Sequence, residues 1–208
     1  MGVVRDYNEH YGDMIEELIL AMVKAAGHKL EGMQDRVHVH GIRGHRDAVI
    51  DGMTVDVKSC SPFAFKKFRD GELRGNDPFG YISQLSSYVY AAQDDPLVTD
   101  KNRGAFLAID KVNGEMCLDV YDFSNELPTK QAEMEAAKTM VVGDIPTQRI
   151  SPVPASKSSP NTKLDKSCQF CEYKKACWPN LRMFEYSYGI EYLVHVEKPP
   201  KVPEITNG

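Results

Sequence analysis

Residues 44–58 constrain this chain more than any other stretch. At their centre stands Asp51-Gly52, the kind of dipeptide that favours a two-residue hairpin turn with both residues at positive φ. With these two as the loop, the pattern predicts that Ile50 faces Met53, Val49 faces Thr54 and Ala48 faces Val55, which sets Asp47 directly across from Asp56. Lys58 follows two residues on, on the same face. The other face carries Ala48, Ile50, Met53, Val55 and Val57, an apolar row that requires a core beneath it. Two carboxylates paired across strands lie about 5 Å apart and repel by roughly 3–4 kcal/mol at an effective dielectric of about 20. A divalent cation between them relieves that repulsion. All-oxygen ligands suit Mg²⁺ or Mn²⁺, and the lysine then stands where it can stabilise developing negative charge or orient a water. The competing reading is a surface hairpin whose polar face is simply solvated.

The chain has 208 residues, 42% of them hydrophobic and 26% charged, which is enough to bury a core of ordinary soluble composition. A net charge of −5 excludes a general attraction to nucleic acid, so any such binding has to come from a local patch. No apolar run approaches a membrane span and the start lacks a signal-peptide pattern, so a cytoplasmic protein with no membrane partner is expected. Five cysteines, three of them bunched near the end, fit that compartment as metal ligands better than as disulfides.

In chain order, Asp6 caps a predicted helix over residues 7–26 that Gly27 ends. Ile15, Leu18, Ile19, Met22 and Val23 form its buried stripe, with Glu16 on the border, facing a cleft, and Gly12 leaving room for a close neighbour. Val37 and Val39 alternate with His38 and His40 as a first strand before the hairpin. These histidines and His45 lack a second ligand set nearby, which argues against zinc there. Residues 63–69 interleave Phe63, Phe65 and Phe68 with Lys66, Lys67 and Arg69. They read either as a segment laying its cations on DNA phosphates or as an amphipathic lid with buried phenylalanines.

Asp77-Pro78 opens a second helix reaching Gln93, on which Gln84 and Tyr88 share a face with Tyr81. Strands over residues 104–110 and 115–123 flank a turn at Val112-Asn113-Gly114, and a third helix covers residues 128–142. The predicted organisation is a core over residues 1–142, a proline- and serine-rich surface connection over 143–167, a cysteine-rich metal-binding segment over 168–198 packed on the core, and a tail over 199–208. Cys168, Cys171 and Cys177 have the spacing of ligands to one metal or cluster, with no evident fourth ligand; His195 is a candidate.

Together these motifs resemble the RecB-like branch of the PD-(D/E)XK nucleases, a group that includes phage recombination exonucleases and CRISPR-associated nucleases with iron–sulfur clusters. The resemblance covers residues 7–123 and the cysteine segment. Gly44-His45-Arg46-Asp47 matches the first acidic motif, Asp56-Val57-Lys58 the (Asp/Glu)-x-Lys motif, and Gln84-Leu85-Ser86-Ser87-Tyr88 the Gln-x₃-Tyr motif. It implies an α/β fold with an αβββαβ core, a central mixed sheet flanked by helices. It further implies one or two Mg²⁺ or Mn²⁺ ions held by Asp47, Asp56, Glu16 and the Val57 carbonyl, with Lys58 assisting. DNA contacts would come from Gln84, Tyr88, Ser59, Lys66 and Lys67. The cysteines would hold a [4Fe–4S] cluster or Zn²⁺, although the first cluster cysteine of those relatives precedes the core and this chain has none before Cys60.

The resulting expectation is a Mg²⁺- or Mn²⁺-dependent exonuclease acting on DNA ends or single strands in recombination, repair or replication. A recombination or single-strand-binding partner and an oligomer are both compatible with it. The rivals are a non-cleaving DNA-binding or nuclease-accessory subunit on the same scaffold, and a small zinc-organised interaction domain with mere surface carboxylates.

Overall fold

The computed structural model describes residues 3–143 and 148–205, which fall into two compact units, Met1–Gly143 and Asp144–Gly208. The first unit opens with helix α1 (Val3–Ala25), then strands β1 (Leu30–Glu31), β2 (Asp35–Val39), β3 (Ile42–Arg46), β4 (Ala48–Ile50) and β5 (Met53–Cys60). Helices α2 (Pro62–Arg69) and α3 (Tyr81–Ala91), strands β6 (Arg103–Asp110) and β7 (Met116–Asp122) and helix α4 (Leu127–Val142) complete it. The central sheet has the order β1-β4-β5-β6-β7, mixed because β5 and β6 run parallel while every other pair is antiparallel. The unit is therefore α/β, with helices on the sheet's two faces.

The hairpin forms in the register that its turn dictates. Asp51 and Gly52 sit at φ 50° and 81°, and Ala48, Val49 and Ile50 pair with Val55, Thr54 and Met53. The apolar row then meets α1, where Ile19, Leu20, Ala48 and Val57 form a core with Ile15, Val23 and Ile50 against it. The opposite face packs under α2 and α3 around Phe106, which meets Phe68 edge-on at 5.4 Å and Tyr121 at 5.8 Å.

Several expectations shift. α1 contains residue 6 instead of being capped by it, and its buried face is turned toward Leu20: Leu18 and Met22 are 59% and 46% exposed. The apolar residues of α1 span two adjoining stripes, and the sheet covers only one. Gly12 has no neighbour within 4 Å of a Cβ position, so it serves no close approach. Val37 and Val39 belong to a separate two-stranded ribbon, β2–β3, turned at His40-Gly41 with φ 49° and 80°, and β1 takes the place beside β4. α3 begins at Tyr81, behind a left-handed Gly80, while the Asp77 carboxylate still accepts from the Ile82 N–H at 2.8 Å. Residues 62–69 form a helix, capped by Ser61 and burying Phe65 and Phe68, as the amphipathic reading has it; Phe63 is 71% exposed.

Where β3 leaves the ribbon and β4 joins the sheet, one residue breaks the pairing, and that residue is Asp47. Just before it, Arg46 is buried with a side chain 3% exposed, donating to Asp95 at 2.7 Å and Asp35 at 2.9 Å. That ion-paired guanidinium fixes the root of the ribbon against the loop after α3.

In the second unit, β8 (Val153–Pro154), β9 (Thr162–Lys163), β10 (Arg182–Tyr186), β11 (Gly189–His195) and β12 (Glu204–Ile205) form a sheet of order β12-β10-β11-β9-β8. Short helices α5 (Lys166–Gln169) and α6 (Lys174–Cys177) carry the cysteines. The stretch read as a connection thus contributes β8 and β9, and the tail contributes β12 through pairing of Glu204 with Phe184 and Ile205 with Met183. Among the described residues no helix is long and apolar enough to cross a membrane.

Candidate active site

The break at Asp47 opens one edge of β5. Peptide groups on a strand alternate in direction, and the Ala48–Val55 and Ile50–Met53 pairings direct those of Met53, Val55 and Val57 toward β4. At Val57, β4 has already ended. Its N–H instead donates to Asp47 Oδ2 at 2.7 Å, and by the same alternation its carbonyl faces the vacated side.

On the α3 side of the sheet, Asp56 is 3% exposed and Lys58 Nζ lies 2.5 Å from Asp56 Oδ2. The contact is an ion pair without aligned hydrogen-bond geometry, and this buried oxygen has no hydrogen-bond partner. Lys58 also stands 5.1 Å from the centre of the Tyr81 ring, the first residue of α3, whose π face favours a cation. From α1, Glu16 approaches and accepts a short hydrogen bond from Gln34 Nε2.

Charges in this pocket are poorly compensated. Burial lifts the Asp56 carboxyl to about 6, with Lys58 pulling it down and Asp47 pushing it further up. Asp47 is raised as well, by burial, against the opposing pull of the Val57 N–H and Lys58. Glu16 is raised by burial and then by the Asp47 charge, with Gln34 opposing and Asp13 and Asp56 adding smaller increments. Burial lowers Lys58, but Asp56, Asp47 and Tyr81 outweigh it and hold the ammonium above the ordinary lysine value. Three carboxylates that resist ionisation around a single ammonium are the electrostatic signature of a site short of positive charge. The donors are hard oxygens, which suit Mg²⁺ or Mn²⁺. Among the described residues no three His, Cys, Asp or Glu side chains are close enough to hold an ion, since Glu16 is turned to Gln34 and Asp56 to Lys58.

Gln84 and Tyr88 occupy the next turns of α3 after Tyr81, with Gln84 Nε2 donating to the Tyr88 hydroxyl at 3.3 Å. They line a cavity of about 280 Å³ between the ribbon, α3 and α4. A Cβ on Gly44 would stand 2.9 Å from Tyr88 Cε1, so the glycine is what lets the ribbon close on this ring. The other residues singled out lie apart. Ser59 is exposed and, by strand alternation, faces away from Asp56 and Lys58. Lys66 is exposed, and Lys67 Nζ is tied to the Asn76 carbonyl at 3.0 Å.

The cysteine segment does not assemble a ligand set. Burial raises the Cys168 thiol, and Asp165, Cys171 and Cys177 add to it, so the three sulfurs sense one another. They are free and not gathered to chelating distance, while His195 is exposed on β11 opposite Thr162. Among the described residues no three of these side chains stand close enough to hold an ion.

Two contributors escaped the sequence reading. Gln34, which holds Glu16, sits at φ 53° in a turn and carries no motif. Arg46 lies inside the quoted Gly-x-x-Asp motif, yet nothing in a lone arginine announces burial. No family model matches this sequence, and no curated protein matches it.

Proposed function

We propose that this chain is a metal-dependent DNA nuclease of the RecB-like PD-(D/E)XK kind, its first unit corresponding to the αβββαβ core, and that it hydrolyses phosphodiester bonds at DNA ends. The observation that carries this reading is the meeting of Asp47, Asp56 and Lys58 around the end of β5 that β4 vacates, with Glu16 on α1 sensing the charge of both acids. Asp47, Asp56, Glu16 and the Val57 carbonyl would hold one or two Mg²⁺ or Mn²⁺ ions, which supply charge stabilisation and an activated water when bound. The chain's own groups do the rest. The Val57 N–H orients Asp47, and Glu16, held by Gln34, would have to turn from it to join the other two acids. Lys58, charged and resting on Tyr81, donates to a phosphate oxygen as negative charge builds there. Gln84 and Tyr88, on the following turns of α3, position the strand.

The rival is a non-cleaving DNA-binding subunit on the same scaffold, favoured by the lack of a preassembled three-ligand set among the described residues. Incubation of the purified protein with end-labelled linear duplex DNA and Mn²⁺ separates the two. Progressive release of label is expected, with Asp56→Ala and Lys58→Ala each slowing it by about a thousandfold. Binding without degradation would rule out the nuclease, and full activity in either variant would remove this mechanism.

A further inference from the structure

The β2–β3 ribbon has two faces of different character. Val37, Val39, Ile42 and Gly44 turn inward to the cavity beside α3 and α4. On the outer face, Arg36 pairs across the strands with His45, and His38 pairs with Arg43; all four are exposed, and the face holds no acidic residue. These four basic side chains, with Val37 and Gly44, line a concavity of about 520 Å³.

In this chain of net charge −5, four of the six arginines whose side chains are described in the first unit find carboxylates, while lysines such as Lys67 and Lys101 reach backbone carbonyls instead. Arg46 pairs with Asp35 and Asp95, Arg69 with Asp70, Arg74 with Glu126 and Arg103 with Asp100. Among the described arginines of this unit, Arg36 and Arg43 alone have no acidic partner. Two guanidinium groups on one two-stranded surface repel one another unless an anion lies across them, and each matches phosphate oxygens in fork geometry. The position points the same way. His45 precedes Asp47 by two residues, about 7 Å of extended chain, so an anionic strand across the ribbon reaches the carboxylate pocket within a few nucleotides.

We propose that the outer face of the β2–β3 ribbon is a DNA-backbone grip, with Arg36 and Arg43 on phosphates of the duplex and His38 and His45 as flanking donors. It rests on the nuclease reading for the identity of its ligand and deepens that reading, since it assigns how an acidic protein holds an acidic substrate. The histidines need no zinc role on this account; they are part of a basic surface.

The test is fluorescence anisotropy with an end-labelled duplex of about 30 base pairs in EDTA, across the salt range of about 50 to 200 mM where phosphate contacts are read out. The chains compared are the wild type, Arg36→Gln/Arg43→Gln, and Lys29→Gln/Arg103→Gln, which removes the same charge from paired surface sites. The ribbon variant, with an unchanged melting temperature, is expected to bind at least about tenfold more weakly. Its plot of log affinity against log salt should be shallower by about two, one for each lost phosphate contact. The control should stay within about twofold of wild type, a change small enough to leave the phosphate count unaltered. Equal losses in the two variants, an unchanged slope in the ribbon variant, or a wild type that does not bind duplex would overturn the grip. A wild type that cleaves while the ribbon variant keeps its affinity removes the grip and leaves the nuclease standing. A wild type that binds with the predicted slope but never cleaves supports the grip and removes the nuclease.

Discussion

Replacing Asp56 by asparagine is expected to spare the metal-free protein about 2–3 kcal/mol of the stability that the wild type loses between pH 4 and pH 8, while ending DNA cleavage. The Asp56 carboxyl titrates at about 6 in the folded chain, above its ordinary value of 3.8. A carboxyl raised in this way favours the folded state when protonated. Its contribution is complete below about pH 4 and is lost as the pH rises through about 6, where the buried carboxylate must ionise in both states. Asp47 and Glu16 shift in the same direction and add to the loss. Asparagine keeps the shape and removes the charge, so the variant's stability relative to wild type should rise by that amount from pH 4 to pH 8. Denaturant unfolding of both proteins at the two pH values, in EDTA, measures it. An Asp56→Asn chain that loses as much stability as wild type between the two pH values would mean that the carboxylate is a structural partner of Lys58 and not a charge awaiting a cation.

Arg46→Met should destabilise the fold by about 2–3 kcal/mol. Its side chain is 3% exposed and joins two carboxylates, and methionine fills much of the volume without the charge. Breaking a fully buried pair costs about 3–5 kcal/mol because the abandoned partner stays dry. Here Asp35 is 48% exposed and Asp95 24% exposed, so both rehydrate in part and the cost falls toward the lower end. Because Arg46 adjoins Asp47, the same change should loosen the break that aims Asp47 at Val57, and cleavage should fall with stability. Urea unfolding gives the first quantity; a change below about 0.5 kcal/mol would show that the ion pairs are ornamental, as exposed ones often are.

The hairpin was legible because two independent signals agree on it: a turn dipeptide that fixes register and a period-two row that fixes which face is buried. The ribbon was not. Its turn is His40-Gly41, with a histidine at positive φ, and the alternation from Val37 onward runs through Asp47 without marking where the chain changes sheets. α1 shows the limit of periodicity, since Leu18 and Met22 satisfy the helical spacing as well as Ile19 and Val23, and only the width of the sheet below decides between them. In the second unit, strands of two residues such as Thr162–Lys163 are too short to carry a period, so a proline-rich stretch passes for a connection. Asp47, Asp56 and Lys58 were legible as a group because the hairpin carries all three. The arginines of the ribbon were written in the same alternating pattern as the valines between them, but their meaning depends on which other arginines are paired.

The carboxylates at the vacated edge of β5 are expected to form a cation site. Calorimetric titration of Mn²⁺ into the metal-free wild type and into Asp47→Asn/Asp56→Asn tests it without reference to DNA. Uptake of one or two ions per chain by the wild type, abolished in the double variant, is the predicted result. Equal uptake by both proteins, or none by the wild type, would contradict it.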